Sequence, residues 1–241
     1  MVKIVKSLIE FIFPPACPLC DMPVSVHGEL CGDCWTAMNW IDGPKCAKCG
    51  YPFVSDLDTD VSVLCPVCAS GKCELDWIRC ACVYDDASRG AMLPFKHGGR
   101  IKYAGFMSRA MMWALRDIDD TDIDLIMPVP LANKRLFKRG YNQATLLARP
   151  IARVLGVKMD LDSVRRLHRS DMGHKNARQR AENIRGVFSV IKPNNIAGKK
   201  ILLVDDVMTT GATFSELRKE LVRAGASAVY GVTFCRVAGT V

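Results

Sequence analysis

ILLVDDVMTTGATFSE, residues 201–216, runs four apolar residues, Ile201 to Val204, straight into two acids, Asp205 and Asp206. The turn that follows is Val207, Met208, Thr209, Thr210, Gly211, Ala212 and Thr213, and a helical pattern begins directly after it. This is the order of a strand–loop–helix anion cradle. Glycine lets the backbone approach closely, loop N–H groups and the helix N-terminus point at a phosphate, and threonine hydroxyls add donors. Two carboxylates just ahead of the loop cannot be phosphate ligands; they suit sugar hydroxyls or a magnesium ion beside the phosphate. The alternative, a plain strand ending in a solvated acidic turn, does not account for so specific an arrangement.

Apolar runs and helical patterns alternate on both sides of this stretch. WIRCACVY (77–84), IDLIMPVP (123–130), GVFSVI (186–191), KKILLVDDV (199–207) and AVYGVTFCRV (228–237) read as strands. Residues 100–116, 142–156 and 213–225 read as helices, with Pro150 expected to kink the second, and Gly156 and Gly225 acting as stops. Strands interleaved with helices predict an α/β fold with a mostly parallel sheet flanked by crossover helices. The charged stretch HRSDMGHKNARQRAEN (168–183) is too polar for a core and reads as a loop or a solvated helix.

The N-terminal third follows another logic. Eight of the 12 cysteines form four CxxC pairs within the first 68 residues: Cys17 and Cys20, Cys31 and Cys34, Cys46 and Cys49, Cys65 and Cys68. Each CxxC turn aims two sulfurs at one point, and two such turns close a tetrahedral thiolate shell around zinc. The spacing predicts a double zinc ribbon with one or two structural Zn²⁺ ions, paired either sequentially or in an interleaved way. A closed four-sulfur shell has no open position for a substrate. A redox dithiol would need one CxxC beside a βαβ unit, and none is present. Cys73 reads as a spare ligand, and Cys80, Cys82 and Cys235 as small core residues.

Charge divides at the same place. Residues 1–75 carry 5 lysines against 9 acids, whereas residues 76–241 carry 28 basic residues against 16 acids. Two domains are therefore expected, 1–75 and 76–241, the second basic and suited to an anionic ligand. The 49% hydrophobic and 24% charged composition of the 241-residue chain is that of a globular protein. No window approaches the ~18 unbroken apolar residues of a membrane helix. Cysteine usage and a poor secretion signal point to the cytoplasm.

The acid pair and TG-bearing turn resemble the ribose-phosphate loop of type I phosphoribosyltransferases. The resemblance implies that Asp205 and Asp206 hold the ribose hydroxyls of phosphoribosyl pyrophosphate, and that residues 208–213 wrap its 5′-phosphate. Four CxxC pairs, then PFKHGGR (94–100), PVPLANKRLFKRGYNQ (128–143), RQRAENIRGVF (178–188) and the loop resemble the ComF (GntX-like) competence-protein family over nearly the whole chain. That family joins a zinc ribbon to a phosphoribosyltransferase domain of Rossmann-like type I fold, and its name implies a part in DNA uptake during natural transformation.

Phosphoribosyl transfer expels pyrophosphate from the anomeric carbon as a nitrogen nucleophile arrives, so stabilising the leaving group by magnesium and by Arg or Lys should be the main catalytic contribution. The turn after IMPVP, from Leu131 to Arg135, stands at a strand's C-terminal end, where open α/β sheets bind ligands. Lys134, Arg135, Arg139 and Asn142 are the pyrophosphate candidates, with Arg135 placed among the catalytic residues beside Asp205 and Asp206. Lys96 is a further candidate, as is Arg180 with Asn183. His27, His97, His168 and His174 lie in polar stretches and read as surface residues. Three functions stay open: a phosphoribosyltransferase acting on an unidentified nitrogen acceptor, a non-catalytic DNA-binding competence factor, and a regulator sensing the sugar pyrophosphate. Phosphoribosyl pyrophosphate with Mg²⁺, single-stranded DNA and competence-machinery proteins are the partners considered. With aromatics at 7% of the chain, no base-stacking platform is evident.

Overall fold

The computed structural model describes residues 13–53, 63–71, 73–118, 123–167 and 185–238. Arg180, Asn183 and the whole 168–183 stretch lie outside the described residues.

Five strands form one all-parallel sheet in the order β1, β7, β6, β2, β3. They are β1 (Trp77–Val83), β2 (Leu125–Pro128), β3 (Lys158–Met159), β6 (Lys200–Met208) and β7 (Ala228–Arg236). Parallel strands buried on both faces need unbroken apolar runs, and Leu125–Pro128 and Ile201–Val204 are buried at every position. Alternate residues face opposite sides. Leu202 and Val204 join the core under α3 (Asp86–His97), α4 (Ala104–Ala114) and α6 (Gln143–Leu155), where Met92, Phe95, Met107, Met111, Leu147 and Ile151 are buried. Ile201 and Leu203 join the opposite core, built on Phe214, Leu217 and Leu221 of α7 (Ala212–Arg223).

GVFSVI forms β5 (Phe188–Val190), as a strand, but it stays out of the main sheet and pairs antiparallel with β4 (Val164–Arg166). Val164, Val187 and Phe188 bury against the α7 side, and the Gly186 N–H donates to the Glu216 carboxylate on α7, so this hairpin covers that helix. Two helices beside the sheet escaped the sequence reading, as did the short helices of the cysteine-rich part. α3 opens on a reciprocal cap, Asp85 accepting from the Ser88 N–H while Ser88 Oγ accepts from the Asp85 N–H, both at 2.9 Å. α5 (Asn133–Arg139) replaces the turn expected after Leu131 and ends on Gly140 at φ 76°. α6 runs through Pro150 to a left-handed Gly156 cap.

The cysteine-rich part is an internal repeat. Ala16 bridges Pro23 and Lys45 bridges Pro52, each around a CxxC turn, and Asp21 (φ 60°) and Gly50 (φ 65°) occupy the same left-handed position. Only Gly50 must be glycine for space, because a Cβ there would lie 3.0 Å from the Ile78 carbonyl. Short helices α1 (Gly32–Thr36) and α2 (Pro66–Ala69) carry the second CxxC of each unit, starting from Cys31 and Cys65.

This part is joined to the sheet by backbone bonds. Ile41 N–H donates to Ala81 O (2.9 Å) and Val83 N–H to Asn39 O (2.8 Å), pairing the ribbon with the outer side of β1. Ile78 N–H donates to Lys48 O at 2.7 Å, and Arg236 Nη1 donates to Cys49 O at 2.6 Å. Trp35, Trp40 and Trp113 meet where the first unit lies on α4, and Arg109 donates to the Gly28 carbonyl there. Among the described residues no helix is long and apolar enough to cross a membrane.

Candidate functional site

Two sites emerge. In the first, the sulfurs of Cys17, Cys20, Cys31 and Cys34 all lie within 4.8 Å of one another, as do those of Cys46, Cys49, Cys65 and Cys68. Four thiolates at ~2.3 Å from one ion fit that separation, so both sets suit tetrahedral zinc. Pairing is sequential. N–H groups of Cys49 and Cys65 point at Cys46 Sγ (3.5 and 3.3 Å), and the Cys46 thiol is pulled down to about 4 by the Cys49 thiol and these amides. The second set is buried at all four positions, whereas Cys20 of the first is exposed. Cys73 packs beside the second set without joining its four sulfurs. Cys80, Cys82 and Cys235 are fully buried core residues.

The second site is at the C-terminal end of β6. Asp205 and Asp206 end the apolar run, and Met208 anchors the loop by pairing with Arg236 and accepting from Val237 N–H at 2.9 Å. Met208 is buried, so it shapes the loop from beneath, while Thr209 and Thr210 are exposed. Gly211 takes φ 77° and, as N-cap of α7, supplies no capping side chain. The first N–H groups of a helix have no intrahelical acceptor, which is what an anion can use. Phe214 seats α7 on β7 at Gly231, where a Cβ would come within 2.9 Å of the ring.

Lys96, from the C-terminal end of α3, places Nζ 3.0 Å from Asp206 Oδ1. Asp205 Oδ1 accepts the Asp206 N–H at 2.9 Å. Burial, and then the Asp206 charge, push the Asp205 carboxyl up to about 7, against the pull of Lys96 and Arg166. His97 is lowered by burial and by Arg139, Lys96 and Lys138, so this rim is electropositive.

Lys96 is held there by the RGYNQ stretch. Tyr141 Oη donates to Phe95 O at 2.5 Å, and Gln143 Nε2 to Lys96 O at 3.4 Å. Arg139 Nη1 donates to Gln143 Oε1 at 3.1 Å.

The chain matches a double zinc ribbon domain over residues 8–69 and a phosphoribosyl transferase domain over residues 142–240. It is 32% identical over 231 residues to the DNA utilization protein YhgH of Escherichia coli K12, covering 92% of this chain and 97% of that one. The chain belongs to the ComF competence-protein family. Competence protein F of Haemophilus influenzae is 34% identical over 125 residues (49% of this chain, 55% of that one). Competence protein ComFC of Bacillus subtilis is 24% identical over 208 residues (83% and 80%). This ComF-family chain therefore joins a double zinc ribbon with two four-cysteine sites to a type I phosphoribosyltransferase fold.

Within this ComF fold, Asp205, Asp206, the 207–213 loop and Lys96 are gathered at one end of the sheet. Lys134, Arg135 and Arg139 all lie on α5, the first two exposed and the third half-buried. Leu131 is half-buried in the link between β2 and α5. Asn142 is engaged inside the fold instead of facing a ligand: Nδ2 donates to Val129 O (3.0 Å) and Oδ1 caps α6 by accepting from Ala144 N–H (3.1 Å). Sequence reasoning missed Arg166, brought towards Asp205 by the β4–β5 hairpin, and Tyr141 and Gln143 as the clamp on Lys96. The closeness of PFK and RGYNQ in space had no local signature, because 46 positions separate Phe95 from Tyr141.

Proposed function

We propose that this ComF-family protein binds phosphoribosyl pyrophosphate with magnesium and transfers its phosphoribosyl group to a nitrogen acceptor. The observation that carries this reading is the acid pair near the end of β6, followed five residues after Asp206 by a left-handed Gly211 that gives the start of α7 no capping side chain. In this reading the 5′-phosphate sits against residues 208–213, and the ribose hydroxyls donate to Asp205 and Asp206. Lys96, Lys134, Arg135 and Arg139 neutralise the pyrophosphate.

The carboxylate oxygens of Asp205 and Asp206 fit a hard cation at this place once the Lys96 ammonium turns away from Asp206 to the anion. Bound magnesium would supply charge neutralisation for the leaving pyrophosphate. The anomeric C–O bond breaks with its electron pair going to pyrophosphate, and a C–N bond forms to the acceptor. The proton lost by the acceptor nitrogen goes to a base within reach, for which Asp206 is the candidate once Lys96 turns to the anion. The names of the relatives, a DNA utilization protein and competence proteins, support a role for this chain in handling incoming DNA.

Calorimetry with phosphoribosyl pyrophosphate and magnesium tests the reading. The Asp205→Asn, Asp206→Asn double variant should lose binding while keeping its zinc; equal affinity in the double variant would remove the cradle assignment. Pyrophosphate release across a panel of nucleobases then separates transfer from sensing.

A further inference from the structure

A helix is normally held in a protein by a buried apolar face, since short helices are marginal alone. α5 has no such face: none of its seven residues is buried. Its sequence, NKRLFKR, carries four cations, and the stretch 128–143 contains no acid. Phe137 is 94% exposed and Leu136 is 40% exposed. The helix is fixed at its C-terminal end, by the Gly140 cap and by the RGYNQ clamp that follows, and its side chains are presented outward. Lys134 and Lys138 are one turn apart, ~5–6 Å between their Cβ atoms, with Phe137 beside them. Scattered exposed apolar residues mean little. A fully exposed aromatic ring set among cations on a helix with no buried residue is a different arrangement.

We propose that α5 is a contact for single-stranded nucleic acid, with Phe137 stacking on an unpaired base and Lys138 holding the adjacent phosphate. Aromatic faces combined with cations are what single strands require, because every base offers a face for stacking and every link a charge. A duplex hides its base faces and would meet only the cations. One aromatic on a helix of seven residues has too little apolar area to hold a membrane surface. The proposal does not depend on sugar-phosphate binding at Asp205 and Asp206.

The test is fluorescence anisotropy of the full-length, zinc-loaded protein with a labelled 15-residue thymidine oligonucleotide, across a salt series. Phe137→Ala and Phe137→Leu should both weaken binding about tenfold with the salt slope unchanged. Lys138→Ala should lower the slope of log affinity against log salt by about 0.7. A 15-base-pair duplex should bind more weakly than the strand and be indifferent to Phe137. The Asp205→Asn, Asp206→Asn variant should bind the oligonucleotide like the parent, which separates this proposal from the sugar-phosphate reading. Because Phe137 packs on nothing, unchanged zinc content and melting temperature should accompany these losses. Full affinity in both Phe137 variants, equal strand and duplex binding, or capture by phosphatidylserine vesicles in place of the oligonucleotide would each overturn the proposal.

Discussion

Asp205 and Asp206 are adjacent in sequence, yet their carboxyls meet opposite surroundings. Asp206 has the Lys96 ammonium at 3.0 Å, whereas Asp205 is pushed up to about 7 by burial and by its neighbour's charge. A carboxyl whose folded-state pKa exceeds its unfolded value of ~3.9 opposes folding increasingly as pH rises between those two values. Asparagine keeps the Oδ1 that accepts the Asp206 N–H but cannot ionise. Asp205→Asn should therefore melt at a higher temperature than the parent at pH 8 in the absence of ligand, the difference shrinking towards pH 4 and holding level above pH 7. Paired thermal melts followed by circular dichroism measure this; a difference that does not change with pH would mean that Asp205 is not the titrating group. The two acids were legible in the sequence as a pair. Their unequal surroundings were not, because the ammonium that distinguishes them arrives from residue 96, on another element.

At the scale of elements, the cradle depends on how α7 and α3 are seated. Phe214 packs where β7 has Gly231, and an added Cβ would enter the ring's space at 2.9 Å. Gly231→Ala should cost ~1–3 kcal/mol by overpacking and lower the melting temperature by ~2–4 °C per kcal/mol. On the other side, Tyr141→Phe keeps the ring beside Phe95 but removes its donor to the Phe95 carbonyl. It should cost ~1 kcal/mol and weaken sugar-phosphate binding by loosening Lys96, while Phe137→Leu at the exposed position 137 does neither. Denaturant titration and calorimetry read both effects. Strands β1, β2, β6 and β7 were readable from their apolar runs, and α6 and α7 from their helical period and glycine stops, whereas the short β3 and β4 were not read as strands. α5 was read as a turn because it has no apolar face to generate a period, and β5 leaves the main sheet because its partner, β4, is a tertiary neighbour.

The whole molecule is tied together across the two regions that composition separates. Residues 39–41 pair with the free side of β1, closing an edge that would otherwise offer unpaired backbone groups. The second four-cysteine set is bonded through Lys48 and Cys49 to β1 and β7. Zinc is thus coupled to the stability of the sheet as well as the ribbon. Zinc should leave in two steps under a chelator, first from the set containing exposed Cys20 and then from the fully buried set, with the second step accompanied by loss of the main thermal transition. Colorimetric zinc release alongside calorimetry would show this; a single release step, or full retention of the transition without metal, would refute it.

The cysteine spacing and the ILLVDDVMTTGATFSE stretch determine by themselves the metal-ligating chemistry of the CxxC pairs and the order of strand, acid pair, loop and helix. These features are local: ligands within a turn, or a strand, loop and helix that follow one another. Which cysteines share an ion, where Lys96 points, what Asn142 and Tyr141 hold, and the outward mounting of α5 were decided only in three dimensions. Each depends on contacts between elements far apart along the chain, where no period or spacing in the sequence records which side chains will meet.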